Sequence, residues 1–256
     1  MSNALSANIG TVILAAGDGK RMESAVPKVM TLLRDKPLIE YVVSAAEASR
    51  CCQKPVVVVS KKHRLVEGYL KDRARYAVQE EQLGTGHAVG TTELMLKGTA
   101  DHVLVLYGDM PFLRPESISR LVEEHLNHGA VLTLMTTTVP SFAGHHASLH
   151  GFGRIIRDTV GNIIRSVELK DTTPKEAAVK EVNPCYYCFR ALWLWPHLAR
   201  LNNHNVQKEY YLTDLVKMAI DEQEPIASIS IDPEEAIGIN TKEDLAVAHD
   251  TMHPVL

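Results

Sequence analysis

The stretch TVILAAGDGKRM, residues 11–22, decides how the rest of the chain is read. Its apolar run is continuous rather than alternating, which suits a strand covered on both faces. The run ends at Ala16, and Gly17-Asp18-Gly19-Lys20-Arg21 follows at its carboxyl end. Glycines there permit backbone conformations and close approaches that a side chain would block. Exposed N–H groups of such a loop can cradle phosphate oxygens. Lys20 and Arg21 add positive charge, and Lys28 in VPKVM can add more. Two familiar phosphate motifs are not met. G-x-G-x-x-G needs a glycine where Met22 stands, and G-x-x-x-x-G-K-[ST] fails because Arg21 follows Lys20 and the upstream glycine is missing. On these residues alone the segment is either a nonstandard phosphate loop or a solvated strand–helix turn.

Downstream, the first half alternates regularly. Apolar strands are expected at PVVVVS and HVLVLY, with a short one at ARYAV and a further one at AVLTLMTTTV. Helices are expected at KPLIEYVVSAAEA, HRLVEGYLKD, GHAVGTTELML and PESISRLVEEHLNH. Leu38, Tyr41, Val42 and Ala45 share one face of the first of these. Continuous apolar strands separated by helices indicate a parallel sheet covered on both sides, with ligands bound beyond the strands' carboxyl ends. The second half reads differently. GRIIRDTVGNIIRSVEL suggests a hairpin turning at Gly161-Asn162. EVNPCYYCFRA reads as one strand, LWLWPHLARL and YLTDLVKMAIDE as helices, PIASISI as a late strand and TKEDLAVAHDTM as a terminal helix. The expected fold is α/β: a Rossmann-like doubly wound mixed sheet with a small β-rich extension. One domain is expected over residues 1–256, split near 138 and 240 into two halves and a terminal helix. No hexapeptide repeat is present.

The chain has 256 residues, 45% hydrophobic and 23% charged, as a globular domain should. Its formal charge of −4 argues against nonspecific nucleic-acid binding, so an anionic substrate must be held by locally placed cations. No apolar run is long enough to span a membrane, and the first ten residues do not read as a secretory signal. Cys185 and Cys188 form a single C-x-x-C on an expected strand. Without a second pair, reduced thiols are a better reading than zinc, and a cytoplasmic location follows. His145, His146 and His150 crowd one loop with no metal-ligand spacing, and Trp193 and Trp195 read as packing residues.

LAAGDGKRM followed by PKVM resembles the signature of sugar-phosphate nucleotidyltransferases. QEEQLGTGHA, residues 79–88, resembles the uridine-binding segment of the bacterial N-acetylglucosamine-1-phosphate uridylyltransferases. LYGDMP, GFGRIIRD, VELKD, EVN, EYYLTD and GIN recur in that family's order, so the likeness runs from about residue 11 to 250. It implies a nucleoside-diphospho-sugar transferase fold with a nucleotide-binding half (1–138), a sugar-binding half (139–240) and a terminal helix (241–256). It implies catalytic roles for Arg21 and Lys28. Nucleotide contacts fall on Leu14, Ala15, Ala16, Gly17, Gly19, Gln79, Gly84 and Thr85. Sugar contacts fall on Tyr107, Gly108, Gly153, Glu168 and Asn183, with Lys208, Tyr210, Tyr211 and Thr213 shaping that side. Asp109 and Asn240 would hold Mg²⁺, an ion that takes one or two protein oxygens and fills the rest of its shell with phosphates and water. Uracil presents an acceptor–donor–acceptor edge that an amide and backbone groups can complement, and a wrong base would leave buried polar groups unpaired.

The resemblance thus implies a Mg²⁺-dependent uridylyltransferase. UTP and N-acetylglucosamine 1-phosphate, its small-molecule partners, would give pyrophosphate and UDP-N-acetylglucosamine, a cell-envelope precursor. A monomer or small homo-oligomer is expected, with no nucleic-acid or membrane partner. The left-handed β-helix acetyltransferase domain of the bifunctional relatives is not expected. Alternatives are transfer to another sugar or alcohol phosphate, use of another nucleotide, or a noncatalytic UDP-sugar sensor. The chain departs from the family where Pro184-Cys185 replaces Thr-Gly and where PSFAGHHASLH lengthens the preceding connection. Pro184 removes a backbone donor near the sugar. UTP preference is therefore expected to persist while sugar selectivity relaxes.

Overall fold

The computed structural model of the protein describes residues 7–19, 22, 26–205 and 207–251. In chain order the strands are β1 (Ile9–Leu14), β2 (Leu32–Leu33), β3 (Lys36–Pro37), β4 (Val56–Ser60), β5 (Arg75–Gln79), β6 (His102–Tyr107), β7 (Leu132–Thr138), β8 (Gly153–Arg157), β9 (Ile163–Val167), β10 (Glu181–Asn183), β11 (Tyr187–Arg190) and β12 (Ile226–Ser230). The helices are α1 (Leu38–Ala48), α2 (Leu65–Leu70), α3 (Thr85–Gly90), α4 (Glu93–Leu96), α5 (Pro115–His128), α6 (Pro174–Ala177), α7 (Ala191–Leu198), α8 (Asp214–Asp221) and α9 (Lys242–Thr251).

Apart from the β2–β3 ribbon, the strands form one mixed sheet that runs β5-β4-β1-β6-β11-β7, with β12 parallel to β7. β1, β4, β5 and β6 are mutually parallel, and β11 enters antiparallel between β6 and β7. The uninterrupted apolar runs have their expected cause. Val12, Val58, Val103 and Val105 bury on one face against α3 and α7 residues such as Ala88 and Trp193. Ile13, Val57, Leu104 and Leu106 bury on the other against Val42 of α1 and Leu121 of α5. β1 has β4 on one side and β6 on the other, so the crossovers reverse at this strand. A doubly wound sheet opens its ligand crevice at such a point. No helix among the described residues is long and apolar enough to cross a membrane.

Two expected elements are broken. GHAVGTTELML forms two helices, because the Thr91 and Thr92 hydroxyls donate to the carbonyls of Ala88 and Val89 and compete with continuation of the helix. EVNPCYYCFRA forms two strands separated by Pro184-Cys185-Tyr186. Pro184 cannot donate to a ladder. Cys185 adopts φ 70, and its N–H turns inward to donate to Asn183 Oδ1 at 2.9 Å. β7 follows both pieces, and Met135 N–H donates to Tyr186 O across the break at 3.1 Å. On the other side the sheet forks: β6 lies along β11, while the β8–β9 hairpin lies along β10.

The segment before α9 is anchored from within. Glu235, 2% exposed, accepts from Arg114 N–H at 3.0 Å and from the Ser117 hydroxyl at 3.0 Å. It thereby caps α5, whose own N-cap residue, Arg114, supplies no side-chain cap.

Beneath α5, His125 is fully buried between His102 (Nδ1 to Nε2, 2.9 Å) and Thr133 (Nδ1 to Oγ1, 2.9 Å). Burial, with His102 and Arg190 nearby, pushes the His125 imidazole down to about 3, and burial lowers His102 despite the facing Asp101. The unfolded chain therefore binds more protons than the folded one from pH ~6.5 down to about 3, and stability falls as pH falls through that window. Thermal melts should show a loss between pH 7 and 5.5, approaching ~1.4 kcal/mol per pH unit at its steepest. His125→Gln should flatten that slope; an equally steep slope in the variant would count against this pair as its source.

Candidate functional site

The fork opens onto a cavity of about 400 Å³ lined by residues from every part of the chain. β1 runs out through Ala15, Ala16 and Gly17 on one side, and β6 ends at Tyr107 with Asp109 just beyond it. The wall opposite is Phe152, Pro184 and Cys185. Gln79, Gln82, Gly84, Thr85 and Glu209 close another side.

The first loop lies against Lys28. Gly19 has φ 62, and a Cβ on it would meet Lys28 Cβ at 2.9 Å, so only glycine fits both the conformation and the contact. Lys28 extends its ammonium to the Asp109 carboxylate and, at 2.9 Å, to Asn240 Oδ1. The Lys28 and Asp109 side chains are only 15% and 14% exposed, which sets this pair apart from the surface ion pairs of the molecule. Asn240 is brought there by two attachments. Ile239 N–H donates to Asp109 O at 3.0 Å. Asp244 accepts from Asn240 N–H and Thr241 N–H, both at 2.9 Å, while Thr241 Oγ1 accepts from Asp244 N–H at 3.1 Å. This is a capping box at the start of α9. Sequence reading did not single out Asp244, although T-x-x-D ahead of an apolar helix was there to be seen.

A second unit holds the opposite side. Tyr210 N–H donates to Leu83 O at 2.7 Å, Gly86 N–H to Tyr210 O at 2.8 Å, and Leu212 N–H to Thr85 Oγ1 at 3.0 Å. Gly84 has φ 106, and a Cβ there would stand 2.6 Å from Tyr210 O. QLGTG and EYYL therefore hold each other, and the main-chain role of Tyr210 is docking. Gln79, 4% exposed, donates to Gly84 O at 3.1 Å and meets His87 Nδ1 at 3.0 Å.

Of the expected site residues, Leu14, Ala15, Ala16, Gly17, Lys28, Gln79, Gly84, Thr85, Tyr107, Asp109 and Asn240 line the cavity. Gly19 adjoins it in a second recess with Gly17, Lys28 and Glu209. Arg21, with Lys20, lies outside the described residues. Gly108, Gly153, Glu168 and Asn183 are not among the residues that line the cavity. Gly153 pairs with Asn183 in the β8–β10 ladder, and Glu168 is close enough to Cys185 and Tyr107 to help raise both. Burial is the larger cause, and it pushes the Cys185 thiol up to about 12. Asn183 is 1% exposed and engages its amide with the Tyr187 hydroxyl at 2.8 Å. Phe152, Met110, Gln82 and Glu209 also line the cavity; each lies inside a segment that carries the resemblance but was not singled out as a site residue.

All four cysteines are free thiols, with Cys188 buried and Cys185 half-buried on opposite sheet faces. Among the described residues no group of three or more His, Cys, Asp and Glu could hold a metal. Asp109 and Asn240 offer two oxygens converging on one cationic centre, the ammonium of Lys28. Two oxygens are what a hard divalent ion needs from protein when phosphates and water complete its shell.

Residues 11–217 match the MobA-like NTP transferase domain. The bifunctional protein GlmU of Geobacter metallireducens is 39% identical over 247 residues, covering 94% of this chain and 50% of that protein. GlmU of Desulfotalea psychrophila is 33% identical over 245 residues, covering 95% of this chain and 70% of that protein. The chain thus spans about half the length of most curated relatives it matches. Among solved structures, a Bacillus anthracis protein described as a glucose-1-phosphate thymidylyltransferase, in complex with sucrose, superposes with TM-score 0.77 at 18% identity over 97% of this chain and 96% of that one. A UDP-glucose pyrophosphorylase complexed with UDP-glucose superposes with TM-score 0.71 at 17% identity over 96% and 98%. The fold is that of the nucleoside-diphospho-sugar transferases.

Two outcomes follow from the geometry. Gly84→Ala should lower stability by ~1–3 kcal/mol, through strain at positive φ and loss of the Tyr210 docking, read as a drop in Tm. Lys28→Met removes the cation that now bridges Asp109 and Asn240, so Mn²⁺ should bind the nucleotide-free protein about 10-fold more tightly, ~1.4 kcal/mol by calorimetry. Equal affinity in wild type and variant would count against Asp109 and Asn240 as a pair of metal ligands.

Proposed function

The chain belongs to the MobA-like NTP transferase family, and from that premise we propose that it transfers a uridylyl group from UTP to N-acetylglucosamine 1-phosphate with the help of Mg²⁺. The observation that carries this reading is the convergence of Lys28, Asp109 and Asn240 at the carboxyl edge of β1 and β6. One flank of that point is a helix start with a buried amide; the other is the fork of the sheet. The GlmU relatives, 33–41% identical, support a sugar-phosphate nucleotidyltransferase.

The acceptor phosphate is already an anionic nucleophile and needs no general base. Its oxygen forms a bond to the α-phosphorus of UTP as the bond to the bridging oxygen breaks, and pyrophosphate leaves with that electron pair. The protein contributes position and charge neutralisation. Gln79 with the Gly84-Thr85 backbone would orient the uracil. The N–H of Gly86 is already engaged by Tyr210 O, so this helix start offers one free donor fewer than an isolated one would. Lys28 would shift from Asp109 toward the phosphates, and Arg21, carried over from the family signature, would face the departing pyrophosphate. Asp109 and Asn240 would hold Mg²⁺, which when bound screens charge on the phosphates. Asp244 would act as a positioning residue, fixing Asn240 through its backbone.

Pyrophosphate release measured over a matrix of nucleoside triphosphates and sugar 1-phosphates should be fastest with UTP. Asp109→Ala should lower kcat ~100-fold or more, as expected when charge stabilisation of the transition state is removed. Asp244→Ala should lower it ~10-fold, with Asp244→Ser restoring part through a retained cap. Release by wild type no faster than by Asp109→Ala would reject the reading.

A further inference from the structure

Cys185 is an anomaly inside the cavity. It is one of the few residues other than glycine with positive φ, at 70, and its side chain forms part of the wall. A side chain in the left-handed region costs free energy that glycine avoids, and such outliers gather where a site needs them. The hydrogen bonds around it show what the wall offers. Pro184 has no N–H. Cys185 N–H donates to Asn183 Oδ1 at 2.9 Å, and its thiol reaches Asn183 O at 3.5 Å. The Asn183 amide donates to the Tyr187 hydroxyl at 2.8 Å and to Ser166 Oγ at 3.4 Å. Phe152 adds an aromatic ring. The Tyr187 hydroxyl engages the Cys185 side chain from behind the wall, and the Glu168 carboxylate acts on the same thiol through its charge.

We propose that the Pro184–Cys185 wall sets acceptor selectivity by presenting shape and no hydrogen-bond donor, so that the pocket takes hydroxy-sugar and acylamino-sugar 1-phosphates with similar preference. This rests on the nucleotidyl-transfer reading and specifies its acceptor. An amide carbonyl has no donor to meet on this wall, so an acylamino group gains nothing from its most polar atom. Supplying a donor for that carbonyl would create a preference for the acylamino sugar of about 10-fold or more.

The test compares N-acetylglucosamine 1-phosphate with glucose 1-phosphate by kcat/KM, and UDP-N-acetylglucosamine with UDP-glucose by calorimetric Kd. Wild type should show ratios within about 5-fold in both measurements. Pro184→Thr/Cys185→Gly returns an N–H at 184 and removes the strained side chain; it should raise both ratios about 10-fold, with the KM for UTP unchanged. Cys185→Ala keeps the Cβ and the proline, and should leave the ratios as in wild type. If the double variant does not fold, Pro184→Thr alone, which returns the N–H at 184, should shift the product-binding ratio in the same direction. A wild-type ratio above 10-fold that neither substitution moves overturns the proposal. Absence of pyrophosphate release with every acceptor would defeat the transfer reading instead, and the UDP-sugar binding ratios would still decide the role of the wall.

Discussion

One strand cannot be hydrogen-bonded to two diverging neighbours along its whole length, and the site depends on that constraint. The segment from Glu181 to Arg190 keeps β7 on one side but changes partners on the other, from β8 to β6. The change is made at Pro184-Cys185-Tyr186, where a proline withholds its ladder donor and a left-handed residue redirects the chain. Between the end of β6 and the beginning of β8 the sheet is open, and Tyr107, Phe152, Pro184 and Cys185 all face that opening. Had the strand remained regular, the ladder would have closed over the crevice that the crossover reversal at β1 creates.

The polar centre is organised by backbone more than by side chains. Asp109 receives Ile239 N–H on its carbonyl and Lys28 on its carboxylate, so the same residue fixes both approaching segments. Asn240 is held by the cap of α9, and the segment before it is anchored through Glu235 to α5. On the other flank, three main-chain donors join residues 83–86 to 210–212. A net charge of −4 is no obstacle to an anionic ligand in this setting, because what counts over a Debye length is the local cation and the loop of N–H groups.

Much of this was legible in the sequence because the signals were local. Continuous valine and leucine runs specify strands buried on two faces, and they occur where expected in β1, β4 and β6. Residues directly after those strands sit at the ligand edge for the same reason, which is why Gly17 and Asp109 could be picked out. What escaped was nonlocal or competitive. Thr91 and Thr92 interrupt a helix through side-chain bonds that periodicity does not register. Cys185 looks like a strand residue until the two-sided pairing of its neighbours is known. Asn183 was read from its motif alone, which does not register that Tyr187 and the Cys185 N–H engage its amide within the protein. Tyr210 was read as shaping the sugar side; its peptide group makes the docking bonds to Leu83 and Gly86.

The pairing of Lys28 with Asn240 has a consequence for how the molecule comes into being. These side chains stand near opposite ends of the chain, and the cavity also draws on residues near 79, 109, 152, 184 and 209. Contacts of such long sequence separation close late, since their loop entropy must be overcome before they reward the chain. A polypeptide still emerging from synthesis has its parallel strands and its glycine loop well before it has Asn240. The two oxygens that converge on Lys28 are thus completed only when the segment carrying Asn240 docks on Asp109. Closure of the polar centre and docking of the Asn240 segment on Asp109 are, in this architecture, the same event.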